Sequence, residues 1–597
     1  MGSYGSDRGL TPSLDSLAAE GIRFARAYSP TPLTGPAHAS MLTGRYPITH
    51  GLRNNGTMIL SEEETLVSEV LRERGYRTAA IVSALVLSSE FGLNQGFDLY
   101  YEEGIKGTKA GSGLWFNHRP GDQSVDRALT WLKASSDRPF FLWVHLFDPH
   151  DPYMPPPPYD EMFPGRPYDG EVAFADAQAG RLIQAVRDLG LYDSTLILAA
   201  GDHGEGLGDH EEPYHAVFAY DTTVHVPMIL RLPGQDGGRV VDGLVSLLDV
   251  GPTILGALGI DAPDGIQGIS LIDAASGGRL SERSLFLESI YPTTSFGWAT
   301  VRGLVKPPWK LIDLPTPEMY DTGADPAELT NVHGTDPDRA AELHSEYRLL
   351  ADDLDASARR AETAAVDDAT RDALLSLGYI GGQQSLATDR VGPDPKDMSP
   401  VLKLLDEVQV KMKGRRYIEA EEILRGVVEL DPGNRMALVQ IGKVLSAQRK
   451  VDEAVPFYER AIETYPDVEE FYRAYGWTLL NFGRLEPARD VFERALASLP
   501  ESAHMHFMLG YTWFIEKDWE RAAAELDLSI KLKHASGKPY YLLAICRLQQ
   551  GGGDEAAIEL LDEYLERERD VDSLFNDPYF IELREKPALQ EMVRRHL

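Results

Sequence analysis

The sequence predicts an α/β domain built on a mostly parallel sheet with helices on both faces, followed by an all-α solenoid. Three observations carry this reading. Over the first 380 residues, short β-branched or aromatic runs alternate with helical stretches: TAAIVSALV at 78, FFLWVHL at 140, STLILAA at 194 and VPMILRL at 226. Such alternation is the pattern of strands buried between crossover helices. Past residue 400 the chain repeats itself with a period of 34, in Gly442, Gly476, Gly510 and Ala544, in Ala420, Ala454, Ala488, Ala522 and Ala556, and in Pro432, Pro466 and Pro500. Three registers in step mark a repeat architecture. Between the two regions QQSLATDRVGPDPKDMS, from 383 to 399, is polar with Gly and Pro and reads as a linker. The expected organisation is a domain over 1–382, a linker over 383–400, about five repeats over 401–570 and a cap over 571–597.

Taken in chain order, each element has a local cause. MGSYGSDRG opens in a loop, and Thr11 as N-cap, Pro12 at the first helical position and Gly21 past the end bracket a short helix. TGPAHASMLTGR, at 34 to 45, is punctuated by Gly and Pro at its start and forms helix afterwards, so Thr34 marks a loop-to-helix junction. In a parallel sheet ligands gather at the carboxyl ends of the strands. There FFLWVHL runs into FDPHDPY, and STLILAA into GDHGEGLGDHEEPYH. Each 34-residue unit carries two apolar-periodic helical stretches, with its small residues where paired helices must approach closely.

Composition excludes several function classes. With 597 residues, 43% hydrophobic and 25% charged, the chain can bury more than one core. Its net charge of −35 repels phosphate backbones and anionic lipid, so no nucleic-acid partner is expected. The one cysteine, Cys546, rules out an internal disulfide and a thiolate metal cage. The densest apolar run, FFLWVHLF at 140 to 147, falls far short of the roughly 18 residues needed to cross a bilayer, so no membrane span is expected in this chain.

Chemistry concentrates at three places. Asp202 and His203 supply a carboxylate and an imidazole to one point beyond a strand end, a metal-binding pattern. That pairing suits Mn²⁺ or Zn²⁺ better than Ca²⁺ or Mg²⁺, which favour all-oxygen sites; one divalent ion is the expected count. Asp148 and His150 close a neighbouring strand. Thr34 places a hydroxyl beside unpaired backbone N–H groups at a helix start, where the dipole favours an alkoxide and an anionic ester substrate. The plain alternative is that Thr34 is a helix cap.

Two resemblances rest on these residues. The 34-residue array resembles tetratricopeptide repeats, which implies a groove for a protein or peptide partner; a rigid spacer or dimerisation arm is the bland alternative. SPTPLTGPAHASMLTGRYP, FDPHDPY, AAGDHGEGLGDH followed by HVPMIL, LVSLLDVGPTILGALGI, and WKLID followed by EMYDTGADPAELTNV resemble, in this order, the sulfatase family of the alkaline phosphatase superfamily. SLGYIGG at 376 to 382 is similar to the segment that ends the catalytic domain in sulfatase-like proteins with a tetratricopeptide tail. Sulfatases begin the helix-leading motif with Cys or Ser, converted to formylglycine, with proline two and arginine four residues on. Here these positions hold Thr34, Pro36 and His38, so no formylglycine is expected. Members acting on phosphate diesters use a threonine there, with an asparagine after YPxxHG; this chain has Tyr46, Pro47, His50 and Gly51, then Asn55.

The resemblance implies roles. Thr34 is the nucleophile and, with Asp202 and His203, a metal ligand. Asn55 donates its amide to a nonbridging oxygen, and His150 contacts the substrate and protonates the leaving oxygen. His215 falls near a substrate-binding lysine of the relatives, and His38 replaces the arginine that steadies the nucleophile. His145, inside its strand, reads as a core histidine. Asp148, His210 and His215 are available if the site holds two metals. The expected function is a metal-dependent, phosphodiesterase-like hydrolase or transferase of phosphate, phosphonate or sulfate esters, whose repeats bind a protein partner or macromolecular substrate. The alternative is a sulfatase-like scaffold that has lost catalysis and works through its repeats. In the family an apolar strand ending in an acidic metal ligand precedes the opening loop. No such strand is written here, so a central strand and one ligand are expected to be missing, from a start that lies upstream or a truncated copy. Localisation stays open on the same ground.

Overall fold

Ile22, Phe24, Ala27 and Tyr28 are buried along Ile22–Tyr28, the strand on which the N-terminal core is assembled. The inward alternation breaks at exposed Arg26, where pairing with Arg239–Ser246 shifts register. That neighbour runs parallel, whereas His225–Val226 and Met228–Arg231 line the opposite edge antiparallel, and Met228–Arg231 in turn pairs antiparallel with Ile197–Ala200. VPMILRL is therefore a strand, as its composition predicts, but it runs against STLILAA. The all-parallel portion is a second sheet, ordered Leu99–Tyr101, Arg77–Ile81, Phe140–Val144. A four-stranded antiparallel meander, Leu285–Ser289 to Glu318–Asp321, follows. Fully buried Lys310 of WKLID ties it back through ion pairs to Asp221 at 2.8 Å and Glu328 at 2.9 Å.

The computed structural model describes residues 1–105, 118–135, 137–235, 237–364, 366, 370–371, 374 and 392–596. SLGYIGG and the expected linker as far as residue 391 lie outside the described residues. The backbone divides into one unit of Met1–Ala364 with Asp389–Leu402 and another of Ala365–Thr388 with Lys403–Leu597. Residues 392–399 are held by the first unit: Ala299 N–H donates to Pro393 O at 2.9 Å, Thr316 N–H to the Asp394 carboxylate at 2.9 Å, and Lys396 Nζ to Glu318 at 2.9 Å. Among the described residues no helix is long and apolar enough to cross a membrane.

Two strands differ from a closed central sheet. Among the described residues Phe140–Val144 pairs only with Arg77–Ile81, and Ile197–Ala200 only with Met228–Arg231. Both are strongly apolar, yet both are only half-buried along most of their length. The helix Thr34–Thr43 lies near their carboxyl ends and is buried over nearly its whole length. Its Ala37 and Met41, one turn apart, pack into the core of the Ile22–Tyr28 sheet. Thr34 and His38, also one turn apart, consequently share a different face.

From Lys403, within the helix Ser399–Lys413, the second unit is a run of paired helices, that helix pairing with Tyr417–Leu430 and the last pair being Lys538–Gln549 with Asp554–Glu568. Leu574, Phe580, Leu589 and Met592 then close its last core cluster, the place expected of a cap. The period-34 glycines sit where facing helices touch: a Cβ on Gly442 would meet the Tyr458 ring at 2.4 Å, and one on Gly476 the Phe492 ring at 2.2 Å. Ala556 is a correction to the repeat register. It is exposed, and Ala557 takes the buried position. The turn over residues 550–553 is one residue longer than those over 482–484 and 516–518, which advances the last helix by one place. Gly476→Ala is expected to destabilise this unit by about 2 kcal/mol, because overpacking against a buried ring outweighs the helix propensity gained. Gly426→Ala, where a Cβ meets nothing within 4 Å, is expected to stabilise it by up to about 1 kcal/mol. Thermal melts of the two variants check the pair.

Candidate active site

Thr34 is the first residue of its helix, preceded by Leu33 in extended conformation, and no side-chain capping bond closes that end. Its hydroxyl is therefore spent elsewhere. Oγ1 lies 3.1 Å from His203 Nε2, and His203 Nδ1–H donates to Gly204 O at 3.0 Å. That second bond fixes the tautomer and leaves Nε2 as the acceptor for the Thr34 proton. Asn55 reaches the same helix start, its Oδ1 accepting from Gly35 N–H at 2.8 Å, so the carboxamide is anchored one residue from the hydroxyl.

Asp202 ends the Ile197–Ala200 strand run, with Oδ2 3.5 Å from His203 Nε2 and 3.6 Å from His38 Nδ1. Burial alone would raise its pKa, but the imidazoles of His203, His38 and His145 reverse this and hold the carboxyl below the usual range. His38 is 5% exposed and donates Nδ1–H to Thr34 O at 2.9 Å. Its ring meets His145 at 5.0 Å between centroids and Trp143 at 5.3 Å. His145, which reads from the sequence as a core histidine, is indeed buried and bonded to Ser83 Oγ at 2.7 Å. It also joins His38 and Asp202 in a trio whose ligand atoms all lie within 4.8 Å of one another. Two imidazoles, whose pKa values burial lowers, and a carboxylate are a donor set for Zn²⁺ or Mn²⁺. Asp202, His203 and Thr34, expected from the sequence as metal ligands, are brought close together, and His38 and His145 could hold an ion with Asp202.

A second group adjoins the first. His150 is carried by the FDPHDPY loop, which Glu171 clamps through His150 N–H at 3.0 Å and which stacks His150 on Phe147 at 4.2 Å. His215 Nδ1 meets Glu205 Oε1 at 3.1 Å; its ring lies 4.2 Å from that of His203 and 5.0 Å from that of His150. Burial drives His150 down to about 3 and His215 to about 4, so both imidazoles are neutral. A neutral His150 can hold a hydrogen bond to substrate but is poorly suited to protonating a leaving oxygen. Asp148 and His210 are drawn elsewhere. Asp148 accepts from Gly121 N–H at 2.9 Å, and His210 bonds Ala327 O at 3.1 Å while stacking on Tyr220. Sequence reasoning missed Glu205, whose only signal is a carboxylate two residues past His203 in a glycine-rich turn.

Glu212, in the same loop, is buried with its carboxylate facing Val217 N–H at 2.7 Å and Phe218 N–H at 3.3 Å. Burial pushes it from 4.5 up to about 8. The folded protein therefore holds this proton more tightly than the unfolded chain, so stability is fully present below about pH 4.5 and falls as pH rises toward 8. Glu212→Gln keeps an acceptor for the two donors. It is expected to match the parent melting temperature near pH 4 and exceed it by a few degrees at pH 8, the gap growing by at most about 1.4 kcal/mol per pH unit.

The chain has relatives on both sides of its domain division. Residues 1–260 match the sulfatase family model, 208–352 the N-sulphoglucosamine sulphohydrolase C-terminal model, and 405–469 and 445–509 two tetratricopeptide repeat models. It is 29% identical over 321 residues to an ulvan-active sulfatase of Formosa agariphila, covering 45% of this chain and 61% of that protein, so it spans about three fifths of that relative's length. Human arylsulfatase A is 27% identical over 363 residues, 51% of this chain and 70% of that one. Among solved structures it is similar to one in complex with its substrate D-glucosamine-2-N,6-O-disulfate, with TM-score 0.51, 21% identity and coverage of 59% and 95%. A phosphonate monoester hydrolase of Agrobacterium radiobacter gives TM-score 0.51, 22% identity and coverage of 60% and 92%. These two likenesses speak to the fold.

Proposed function

From a chain that joins a sulfatase-family domain to a tetratricopeptide array, we infer a metal-dependent hydrolase of phosphate or phosphonate esters with Thr34 as nucleophile. One observation carries the reading: the Thr34 hydroxyl, at the start of a buried helix, faces the unprotonated nitrogen of His203 at 3.1 Å. His203 Nε2 takes the hydroxyl proton as Oγ1 attacks phosphorus in line, the ester oxygen departs, and a phosphoryl group is left on Thr34. Water then attacks that phosphorus from the vacated side and Thr34 recovers its proton. The helix N-terminus and Asn55 receive the charge that gathers on the nonbridging oxygens. His38 orients the nucleophile through the Thr34 carbonyl. A divalent ion held by Asp202 with His38 and His145, leaving His203 free as the base, would add positive charge and lower the hydroxyl pKa.

The repeats, in this reading, recruit a protein or peptide partner, or the macromolecule that bears the ester. Turnover of aryl phosphate mono- and diesters by chelator-treated protein, before and after Zn²⁺ or Mn²⁺ is restored, tests the enzyme. Activity that disappears with the metal and returns with it is expected. A metal-replete chain without turnover on any of these esters supports the scaffold alternative instead.

A further inference from the structure

In three successive repeats the first helix carries a stripe of residues at i, i+3 and i+7: Met436, Val439 and Lys443 on Arg435–Ala447, Glu470, Arg473 and Trp477 on Glu469–Asn481, and His504, Phe507 and Tyr511 on Ala503–Ile515. The stripes make one face, apart from that on which Gly442 and Gly476 meet the paired helices. Burial changes along it. Met436, Val439, Glu470, His504 and Phe507 are at most 7% exposed and the Arg473 side chain 14%, whereas the Lys443 side chain is 35% and Trp477 47% exposed. The amino-terminal half of the face is covered and the other half is open.

The cover belongs to the chain itself. Val366, Thr370 and Leu374, spaced by four, are 7%, 3% and 3% exposed and fall in the segment Ala365–Thr388 that groups with the repeats. Arg371 among them pairs with Glu469 at 3.1 Å, the carboxylate that also accepts from Ser502 Oγ at 2.5 Å. We propose that the stretch bearing Val366, Thr370, Arg371 and Leu374 is a ligand held in cis: it occupies the face by which the repeats recognise a peptide, and an outside peptide of the pattern Val-x-x-x-Thr-Arg-x-x-Leu must displace it.

The fit is that of a replaceable occupant. Burial would raise the Glu470 carboxyl, but Arg473 and Lys443, joined by Arg371, hold it at about 2, so the face offers fixed anionic charge to an arginine. Two groups stay unmatched. Arg371 Nε and His504 Nε2 are buried with no hydrogen-bond partner among the described residues, which opposes the covered state and favours a better-matched peptide. In chain order the segment is flanked on both sides by residues of the first unit, so its release leaves it tethered at both ends and at high effective concentration. The inference rests on the reading of the repeats as a recruiting surface and is independent of ester hydrolysis.

Fluorescence anisotropy of a labelled peptide of residues 365–378 with the full chain tests it. The parent should bind on the order of 100-fold more weakly than an opened chain, Arg371→Glu with Leu374→Glu, because the tethered segment competes at roughly millimolar effective concentration. The same peptide made with Arg371→Glu should bind the opened chain about tenfold more weakly, a comparison in which the protein does not change. Arg371→Ala, which removes only the ion pair, should fall between parent and opened chain and replaces the latter if the double substitution unfolds. A parent that binds the peptide as tightly as the opened chain overturns occupancy in cis while leaving the repeats a recruiting surface. If neither the opened nor the Arg371→Ala chain binds the peptide, or neither folds, the segment is a fixed part of the repeat core and the proposal fails. Either result leaves ester turnover, and with it the hydrolase reading, untouched.

Discussion

Thr34→Ala is expected to lower turnover of aryl phosphate esters by on the order of 10³-fold or more while leaving the protein folded and its metal bound. Removing the nucleophile leaves only what binding and electrostatics supply, and the residual rate in such variants is small. The structural cost is modest by comparison. Thr34 is 6% exposed and, among the described residues, its side chain makes one hydrogen bond, to His203, worth about 1 kcal/mol. Thr34→Ser keeps a hydroxyl at the same place and is expected to retain most of the activity, so loss in both variants would point to packing instead of chemistry. Covalent labelling separates the cases further. Acid quenching during turnover of a phosphorus-labelled ester should trap label on the parent, in a peptide containing Thr34, and none on Thr34→Ala. Label elsewhere, or unchanged turnover in Thr34→Ala, would reduce Thr34 to the buried first residue of a helix.

What could be read from the sequence was whatever had a local cause. Thr34 at a helix start, Asp202 and His203 past a strand end, and the period of 34 all follow from residues close together in the chain. The Ile22–Tyr28 strand was not legible, because IRFARAY places Arg23 and Arg26 inside a run that buries Ile22, Phe24, Ala27 and Tyr28. The Ala556 register failed on one extra residue in a turn. Glu205 and His145 were hidden for a different reason. Their significance lies in which distant groups they face, Glu205 with His150 and His215, His145 with His38 and Asp202. Residue type misled where a backbone donor or acceptor claimed the side chain first: Asp148 serves Gly121 N–H, and His210 the Ala327 carbonyl.

Phosphate or phosphonate esters should turn over many times, whereas a matched aryl sulfate should release at most one equivalent of phenol per chain. The difference follows from what Thr34 becomes. A formylglycine hydrate has two hydroxyls on one carbon, so once one is sulfated the other can expel sulfate by breaking the carbon–oxygen bond and restoring the aldehyde. Threonine carries a methyl group in place of that second hydroxyl, so this exit is closed. A sulfated Thr34 must wait for water to attack sulfur, whereas a phosphorylated Thr34 is cleaved by an in-line attack that mirrors its formation. A burst of phenol from aryl sulfate, followed by a stop, is the expected trace, with the trapped sulfate located on Thr34 by mass spectrometry. The converse can be built. Thr34→Cys combined with His38→Arg recreates the Cys-x-Pro-x-Arg arrangement around Pro36, and expression with a formylglycine-forming activity should then convert the burst into continuous sulfate ester turnover. A parent protein that hydrolyses aryl sulfate continuously, and faster than the matched phosphate and phosphonate esters, would reverse the substrate reading and require a route for sulfate release that threonine chemistry does not provide.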